Sequence, residues 1–207
     1  MITDFDISKE YILEDECVLL RPLHMSDAEN LQWFSLNEPD IWKYSLQGAD
    51  GLENLHKYIS QALEGRAAGK EYPFIVFDKR TNAYAGSTRF YDIIPAFQFM
   101  QLGYTWYGKK FQGTGLNKHC KYLLFQFAFE KAGLERLELR ADNDNYKSIA
   151  AMKSIGCKVD GILRANMPRP AHLPGRRDSI VLSVLKDEWF NEVKPLLQQQ
   201  IANTQLV

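Results

Sequence analysis

Residues 101–124 read QLGYTWYGKKFQGTGLNKHCKYLL, and this is the most informative stretch of the chain. It predicts a β-strand over Leu102–Trp106, then the glycine-bearing loop Gln112–Asn117, then a long helix that starts near Thr114 and stops at Gly133. In such a unit the glycines let the backbone approach a ligand closely, and the free N–H groups and the dipole of the helix favour negative charge. The stretch therefore indicates a cradle for an anion; a tight turn that simply requires glycine is the alternative.

Two common phosphate-binding motifs do not fit this loop. A dinucleotide fingerprint would need its third glycine at Lys118. A P-loop would continue with Gly-Lys-Ser or Gly-Lys-Thr, and the sequence does not. Lys118 and Lys121 instead place two cations in the first turns of the helix, which agrees with an anionic ligand of another kind.

Hydrophobic periodicity and turn residues predict an α+β chain around this stretch. Strands are expected over the segments Cys17–Pro22, Tyr72–Asp78, Tyr84–Ile94, Phe97–Trp106, Arg136–Ala141, Cys157–Leu163 and Ile180–Leu185. Helices are expected after Ser26-Asp27, over Leu52–Ala67, from Thr114, over Asn145–Ile155 and over Trp189–Gln200. The three adjacent strands before the cradle have short turns, which requires antiparallel pairing. The prediction is a mixed, largely antiparallel sheet of about seven strands with helices on both faces.

Composition narrows the class of protein. The chain has 207 residues and a formal charge of -1, so we expect one domain over 1–207, with a core of about 17–190 and a C-terminal helix over 187–200. The near-zero net charge creates no overall positive potential that would attract nucleic acid or an anionic membrane surface. No apolar run is long enough to span a bilayer. The acidic start and three scattered cysteines favour the reducing cytoplasm and offer no metal-ligand spacing.

The cradle sequence resembles a known family. Its residues Gln112-Gly113-Thr114-Gly115-Leu116-Asn117 are similar to the Gln/Arg-x-x-Gly-x-Gly/Ala pyrophosphate loop of the GNAT N-acetyltransferases, with Asn117 where Gly or Ala is usual. A second block resembles the ribosomal-protein (Rim-type) branch of that family, and its elements are Asn145-x-x-Ser148, Lys153-x-x-Gly156, Asp160-Gly161, Arg164 and Arg177-Asp178. In this second block, Cys157 replaces the Phe that is usual in the branch, and Asp160 replaces the usual Glu. With the opening Leu20-Arg21-Pro22-Leu23 the likeness spans about Val18 to Trp189.

The resemblance implies acetyl-CoA as co-substrate, an amine as acceptor, no metal, and a homodimer as a possible assembly. The pantetheine arm would pair with the strand before the cradle, at Leu102, Gly103, Tyr104 and Thr105, where a backbone N–H polarises the thioester. The pyrophosphate would lie on the loop and first helical turn, at Gln112, Gly113, Thr114, Gly115, Leu116, Asn117 and Lys118. Asn145 would hydrogen-bond the pantetheine or help to shape the site.

Two proton transfers accompany acetylation of an amine. Many family members protonate the departing thiolate with a tyrosine at the position of Met152, which cannot donate, so Ser148 is the candidate donor; a thiolate could also leave unaided into water. The family's usual Glu is Gln101 here, an amide that can only orient a water, and Asp92 or Glu71 are the alternative bases. The sequence offers no clear general base, which favours an α-amine or a small-molecule amine as acceptor over a lysine side chain. An α-amine with a pKa of about 7.7–8.0 is already partly neutral at physiological pH.

Acceptor contacts are expected from aromatic and acidic residues around the first helix and the middle strands: Trp42, Tyr44, Tyr91, Asp92 and Trp106. Core packing is the alternative for each aromatic. His119 is expected on a solvated helix face, and the arginine-rich loop near Arg169 is expected to be solvated rather than a nucleic-acid patch. The sequence thus predicts an N-acetyltransferase, with a protein N-terminus as one candidate acceptor. The alternatives are an enzyme for a small-molecule amine and a catalytically degenerate CoA-binding protein.

Overall fold

The computed structural model of the chain describes residues 5–170 and 172–204, and it contains one twisted eight-stranded sheet. The strands are β1 Leu13–Glu14, β2 Val18–Pro22, β3 Tyr72–Asp78, β4 Ala83–Ile94, β5 Phe99–Tyr107, β6 Arg136–Asp142, β7 Lys158–Pro168 and β8 Arg176–Leu185. Their order across the sheet is β1-β2-β3-β4-β5-β6-β8-β7. Neighbours are antiparallel except for β5 and β6, which run parallel because a helical crossover joins them.

Helices cover both faces of this sheet. They are α1 Ala28–Asn37, α2 Leu52–Ala67, α3 Leu116–Gln126, α4 Tyr146–Ser154, α5 Lys186–Glu188 and α6 Lys194–Thr204. A π-helical turn, Phe127–Lys131, continues α3, and another, Trp189–Val193, joins α5 to α6. Successive side chains of a strand point to opposite faces of the sheet. In β4, Arg89 therefore stacks on Tyr58 of α2 on one face, and Phe90 stacks on Phe127 after α3 on the other.

The α+β class and the mixed, mostly antiparallel sheet are confirmed. The bounds of α2 and β3 agree with the prediction, since α2 buries the periodic residues Leu55, Tyr58, Ile59 and Ala62 against β3. The strand count was one too low because β1 has only two residues, too few to show a period. The predicted strand start at Phe97 was wrong: residues 95–97 form a 3₁₀ turn, and the Phe97 ring is exposed.

The C-terminal helix is anchored in the core rather than lying on the surface. Trp189 is fully buried and stacks on Phe129, while its Nε1 donates to Glu130 Oε1 at 2.9 Å. This contact fixes the end of the chain to the helix that begins at the cradle. Within residues 5–170 and 172–204 no helix is both long and apolar enough to cross a membrane.

Candidate active site

The sheet opens into a wedge between its two parallel strands. β5 and β6 pair only at their first residues, and the last matched pair is Gln101 with Glu138. Beyond it, residues 102–107 of β5 pair with β4 alone, and β6 pairs with β8 alone, throughout the described part of the chain. One edge of β5 therefore offers unpaired main-chain groups, to which an extended, amide-containing ligand can add like a strand.

The cradle lies at the wide end of this wedge, where β5 has passed through a 3₁₀ turn into the loop before α3. Among the described residues, the main-chain N–H groups of Gly113, Thr114, Gly115 and Asn117 make no hydrogen bond. Gly113 and Gly115 have φ angles of 78° and 85°, in the region that glycine adopts without strain. Four free donors at a helix start provide the anion-binding geometry that the sequence predicts.

Side chains hold the cradle loop against both walls of the wedge. Gln112 Nε2 donates to Tyr107 O at 2.8 Å, and Lys147 Nζ of α4 donates to Gln112 Oε1. Thr114 Oγ1 donates to Phe111 O at 2.8 Å. The Gln112 and Thr114 side chains thus shape the loop rather than face a ligand. The Gln112 N–H is also engaged, since it donates to Lys109 O at 3.2 Å, so of these two residues only Thr114 keeps a free main-chain N–H.

The first turn of α4 brings Asn145 and Ser148 to the same wedge. Asn145 is the N-cap, and its Oδ1 accepts the Ser148 N–H at 3.1 Å. The Asn145 amide nitrogen and the Ser148 hydroxyl make no hydrogen bond within the described residues. Since Lys147 ties this turn to Gln112, both groups are positioned to meet a ligand that runs from the cradle along β5.

A distortion interrupts β5 at Tyr104. Tyr104 has a φ of 49°, a left-handed value inside a strand, and the pairing with β4 shifts at this point. A Cβ at the neighbouring Gly103 would lie 2.8 Å from Tyr91 Cε1, so only glycine fits under that ring. The Tyr91 and Tyr104 rings meet edge to face at 5.1 Å, and burial raises the pKa of both phenols. The strand is thereby held with its open edge turned into the wedge.

A cavity of about 560 Å³ opens on the α2 side of this distortion. Its wall includes Gln47 from the α1–α2 connection, Tyr58 of α2, Glu71, Arg89 and Tyr104. The Arg89 guanidinium is 1% exposed and lies 3.8 Å from the centre of the Tyr104 ring. Burial works against its charge, but Tyr58 and Glu71 outweigh burial and raise the Arg89 pKa. A polar, charged pocket thus adjoins the open edge of β5.

The two candidate bases are both engaged by neighbours. Glu71 Oε2 accepts from Arg89 Nη1 at 2.5 Å, and Asp92 Oδ2 accepts from Gln101 Nε2 at 3.0 Å. Gln101 is 4% exposed and lies at the closed end of the wedge, where its Oε1 is buried and has no partner among the described groups. That orphaned acceptor suits an incoming N–H or O–H donor.

Two of the five predicted acceptor contacts are corrected by the structure. Trp42 and Trp106 are 3% and 5% exposed, and their rings pack edge to face at 4.9 Å in the core. Trp42 is buried because the connection after α1 forms a 3₁₀ turn that folds its ring inward. Tyr44, Tyr91 and Asp92 keep partly accessible positions, and the Tyr44 ring carries Lys43 Nζ at 5.3 Å.

Buried groups were missed on α3. His119, expected in solvent, is fully buried, and its Nδ1 lies 2.6 Å from Asp15 Oδ2 of the β1–β2 turn. Lys121 is 4% exposed, and its Nζ donates to Thr105 Oγ1 on β5 at 3.0 Å. No sequence signal distinguishes these two from the half-buried Lys118, because Asp15 and Thr105 are distant in the chain.

The arginine-rich connection between β7 and β8 is shorter than expected, because β7 continues to Pro168 and β8 begins at Arg176. Arg169 forms ion pairs with Asp142 at 2.9 Å and Asp144 at 2.5 Å, so its charge is partly neutralised rather than simply solvated. Arg177 and Asp178 do not pair with each other: Arg177 Nε donates to Ser179 Oγ, and Asp178 Oδ1 accepts from the main chain of β7.

Known proteins share this fold and sequence pattern. A family model described as acetyltransferase (GNAT) domain matches residues 18–158. The Bacillus subtilis protein named "Probable N-acetyltransferase YjcK" is 28% identical over 161 residues, which are 75% of this chain and 88% of that protein. The structure of a GCN5-related N-acetyltransferase from Brucella melitensis superposes with a TM-score of 0.86 at 23% identity, over 96% of this chain and 89% of that one. RimL, a ribosomal L7/L12 alpha-N-protein acetyltransferase, superposes with a TM-score of 0.75 at 18% identity, over 87% and 97% of the two chains.

Proposed function

Because the chain belongs to the acetyltransferase (GNAT) domain family, we propose that it transfers an acetyl group from acetyl-CoA to an amine, and that residues 1–207 are one N-acetyltransferase domain. The observation that carries this proposal is the row of four free N–H groups at the cradle, beside a strand with an open edge. The cradle suits a diphosphate and the open edge suits an amide-containing arm, which are two distinctive parts of coenzyme A.

Different groups in the wedge bind different parts of coenzyme A. The free main-chain amides of Gly113, Thr114, Gly115 and Asn117 hold the pyrophosphate, whereas the Lys118 N–H, also expected there, already donates to Gly115 O. Residues 102–105 of β5 align the pantetheine arm and polarise the thioester carbonyl. Asn145 donates its free amide N–H to that arm. The Ser148 hydroxyl donates a hydrogen bond to the sulfur as the thiolate departs, and Gln101 orients the incoming amine or a water through its unpartnered Oε1.

The acceptor enters the cavity beside Tyr104, whose ring contacts Tyr91. Tyr44 and Asp92 stay candidate acceptor contacts, although neither lines that cavity. Glu71 and Asp92 are both engaged by hydrogen-bond donors, so neither is a free base. An acceptor that is partly neutral at physiological pH needs the least help, and an α-amine, with a pKa of about 7.7–8.0, meets this condition better than a lysine near about 10.4. The motif blocks of the Rim-type branch and the fold shared with RimL support a protein N-terminus as that α-amine.

A panel of acceptors tests this function. Thiol release from acetyl-CoA is measured with ribosomal-protein N-terminal peptides whose lysines are blocked, with N-terminally blocked peptides that keep one lysine, and with polyamines and amino sugars. We expect kcat/KM for the free α-amine to exceed that for the lysine side chain by at least about tenfold, in line with the larger neutral fraction. A faster lysine rejects the α-amine assignment. A melting temperature that rises with CoA, without thiol release for any amine, indicates the degenerate binder instead.

Substitutions at the start of α4 test the assigned roles. Asn145→Ala and Ser148→Ala should each lower kcat by about tenfold or more while changing the Kd for CoA less, because they act near the thioester rather than at the diphosphate. Asn145→Ala also removes a helix cap, which costs about 1 kcal/mol. Asn145→Ser, which still caps, and Ser148→Thr, which keeps a hydroxyl, are the matched controls. Full turnover of Ser148→Ala withdraws the serine from the reaction.

A further inference from the structure

Lys121 is a buried cation that the roles assigned above do not use. Its side chain is 4% exposed, its Nζ donates to Thr105 Oγ1 at 3.0 Å, and no carboxylate forms an ion pair with it in the described residues. A buried ammonium without a counter-charge is strongly unfavourable in an unliganded protein. Burying this lysine costs the fold stability, and such a cost at a site beside the open edge of β5 points to a role in binding or reaction.

Helix geometry places Lys121 on the path of the pantetheine arm. It lies four residues after Asn117 of the cradle, so the two share one face of α3 and are separated along the axis by about 6 Å. Its hydrogen-bond partner Thr105 belongs to the open edge of β5. Its charge also acts on Cys157, whose N–H donates to Met152 O at the end of α4. Lys121 is therefore flanked by both walls of the wedge, deeper than the cradle.

The wedge needs a proton source at that depth. Met152 carries no proton to give. Ser148 can donate a hydrogen bond to sulfur, but an aliphatic hydroxyl is a far weaker acid than a thiol and does not supply a proton by itself. We propose, on the premise that the chain is an acetyl-CoA-dependent N-acetyltransferase, that Lys121 is the general acid that protonates the departing thiolate of coenzyme A.

The step balances without another reagent. The acceptor nitrogen forms a C–N bond to the thioester carbon, and the carbonyl electron pair moves to oxygen. When the carbonyl re-forms, the C–S bond breaks with its electron pair on sulfur, and Lys121 Nζ transfers a proton to that sulfur. The neutral lysine then regains a proton from water, which receives the one lost by the acceptor amine. The net products are an N-acetylated amine and free coenzyme A.

The surroundings of Lys121 suit it to this exchange. Burial lowers its pKa to about 8, close to the ordinary value of a thiol at about 8.5. The titratable groups that act on it are Cys120 of the same helix and Cys157 after α4, and burial raises the pKa of each to about 12. Both thiols are thus neutral at physiological pH, and Thr88 and Thr105, whose hydroxyls lie 2.7 Å apart, do not titrate.

Two measurements on Lys121→Met test the role. The first is the pH dependence of kcat at saturating acetyl-CoA and amine: the wild type should lose rate above about pH 8, whereas the variant should be about 100-fold slower and keep no such fall, as expected for removal of a general acid. The second is the ultraviolet absorbance of the thiolate of bound CoA: the wild type should ionise bound CoA at a pH at least about one unit lower than the variant. A merely structural lysine changes neither the shape of the profile nor the ionisation of the ligand.

Two further variants complete the design. Lys121→Arg keeps the charge, so bound CoA should ionise as in the wild type, but kcat should stay low because arginine does not release a proton near neutral pH. Lys153→Met is the control, an exposed lysine of α4 outside the proposed site. It should match the wild type in both measurements.

The outcomes separate this role from the proposed function. If the wild type binds no CoA, the acetyltransferase proposal is overturned, and the role of Lys121 falls with it. If the wild type acetylates amines and Lys121→Met keeps its rate and pH profile, only the role of Lys121 is overturned. Should Lys121→Met fail to fold, the thiol titration of CoA bound to the wild type decides, and an ionisation no lower than that of free CoA overturns the role.

Discussion

Replacing Gly113 with valine should weaken CoA binding by at least about 100-fold, the loss expected when a ligand group is excluded from its contacts. Gly113 has a φ of 78°, and a Cβ built on it meets no atom within 4 Å, so the new side chain projects into the open cradle. There it obstructs the approach of a diphosphate to the free N–H groups of Gly113, Thr114 and Gly115. The Kd for CoA, measured by titration calorimetry, reports the effect directly.

A control separates this effect from backbone strain. A β-branched residue at a left-handed φ costs about 1–2 kcal/mol wherever it lies. Gly69, after α2, has a φ of 73° and equally open surroundings. Gly69→Val should thus lower the melting temperature about as much as Gly113→Val but leave the Kd for CoA unchanged. Equal CoA affinity in the two variants would show that the diphosphate does not bind at the loop.

The largest loss of stability is expected from Trp189→Ala, at about 3–5 kcal/mol, the usual cost of truncating a buried tryptophan. The ring is fully buried, lies 5.9 Å from the parallel Phe129 ring, and packs edge to face on Phe125 at 6.1 Å. The substitution also leaves Glu130 without the indole N–H. The free energy of unfolding, from urea titration, measures the loss.

Its neighbour provides the comparison. Phe190 is 47% exposed, so Phe190→Ala should cost less than about 1 kcal/mol. An equal loss in the two variants would mean that the C-terminal segment does not anchor on the α3 side of the sheet. Because Trp189 packs on the continuation of α3, its loss should also lower CoA affinity through the position of the cradle.

Local patterns predicted much of the fold. The bounds of α2 follow from a clear apolar face, and Gly113, Gly115 and Asn145 lie at the loop and helix starts where their residue types indicate. These features depend on neighbours a few residues apart, so the sequence displays them directly. The same reasoning located the strand with the open edge, although not the point at which its pairing stops.

Long-range contacts could not be predicted in this way. Trp42 was expected at the acceptor site because it follows a helix in a loop, but its burial depends on Trp106, far along the chain. The burial of His119 depends on Asp15, and that of Lys121 on Thr105. Periodicity shows which residues lie on the same face of a helix or strand. It does not show which distant residues pack against that face.

The early end of the β5–β6 pairing has a consequence for how this enzyme can change over time. Under the proposed function, the donor arm pairs with peptide groups of residues 102–105, so substitutions there that preserve Gly103 and the buried side chains should leave donor recognition intact. The proposed acceptor cavity near Gln47, Glu71 and Arg89 is instead lined by side chains, so replacements there should change the choice of acceptor. New amine specificities should therefore arise on this scaffold without any loss of its acetyl donor.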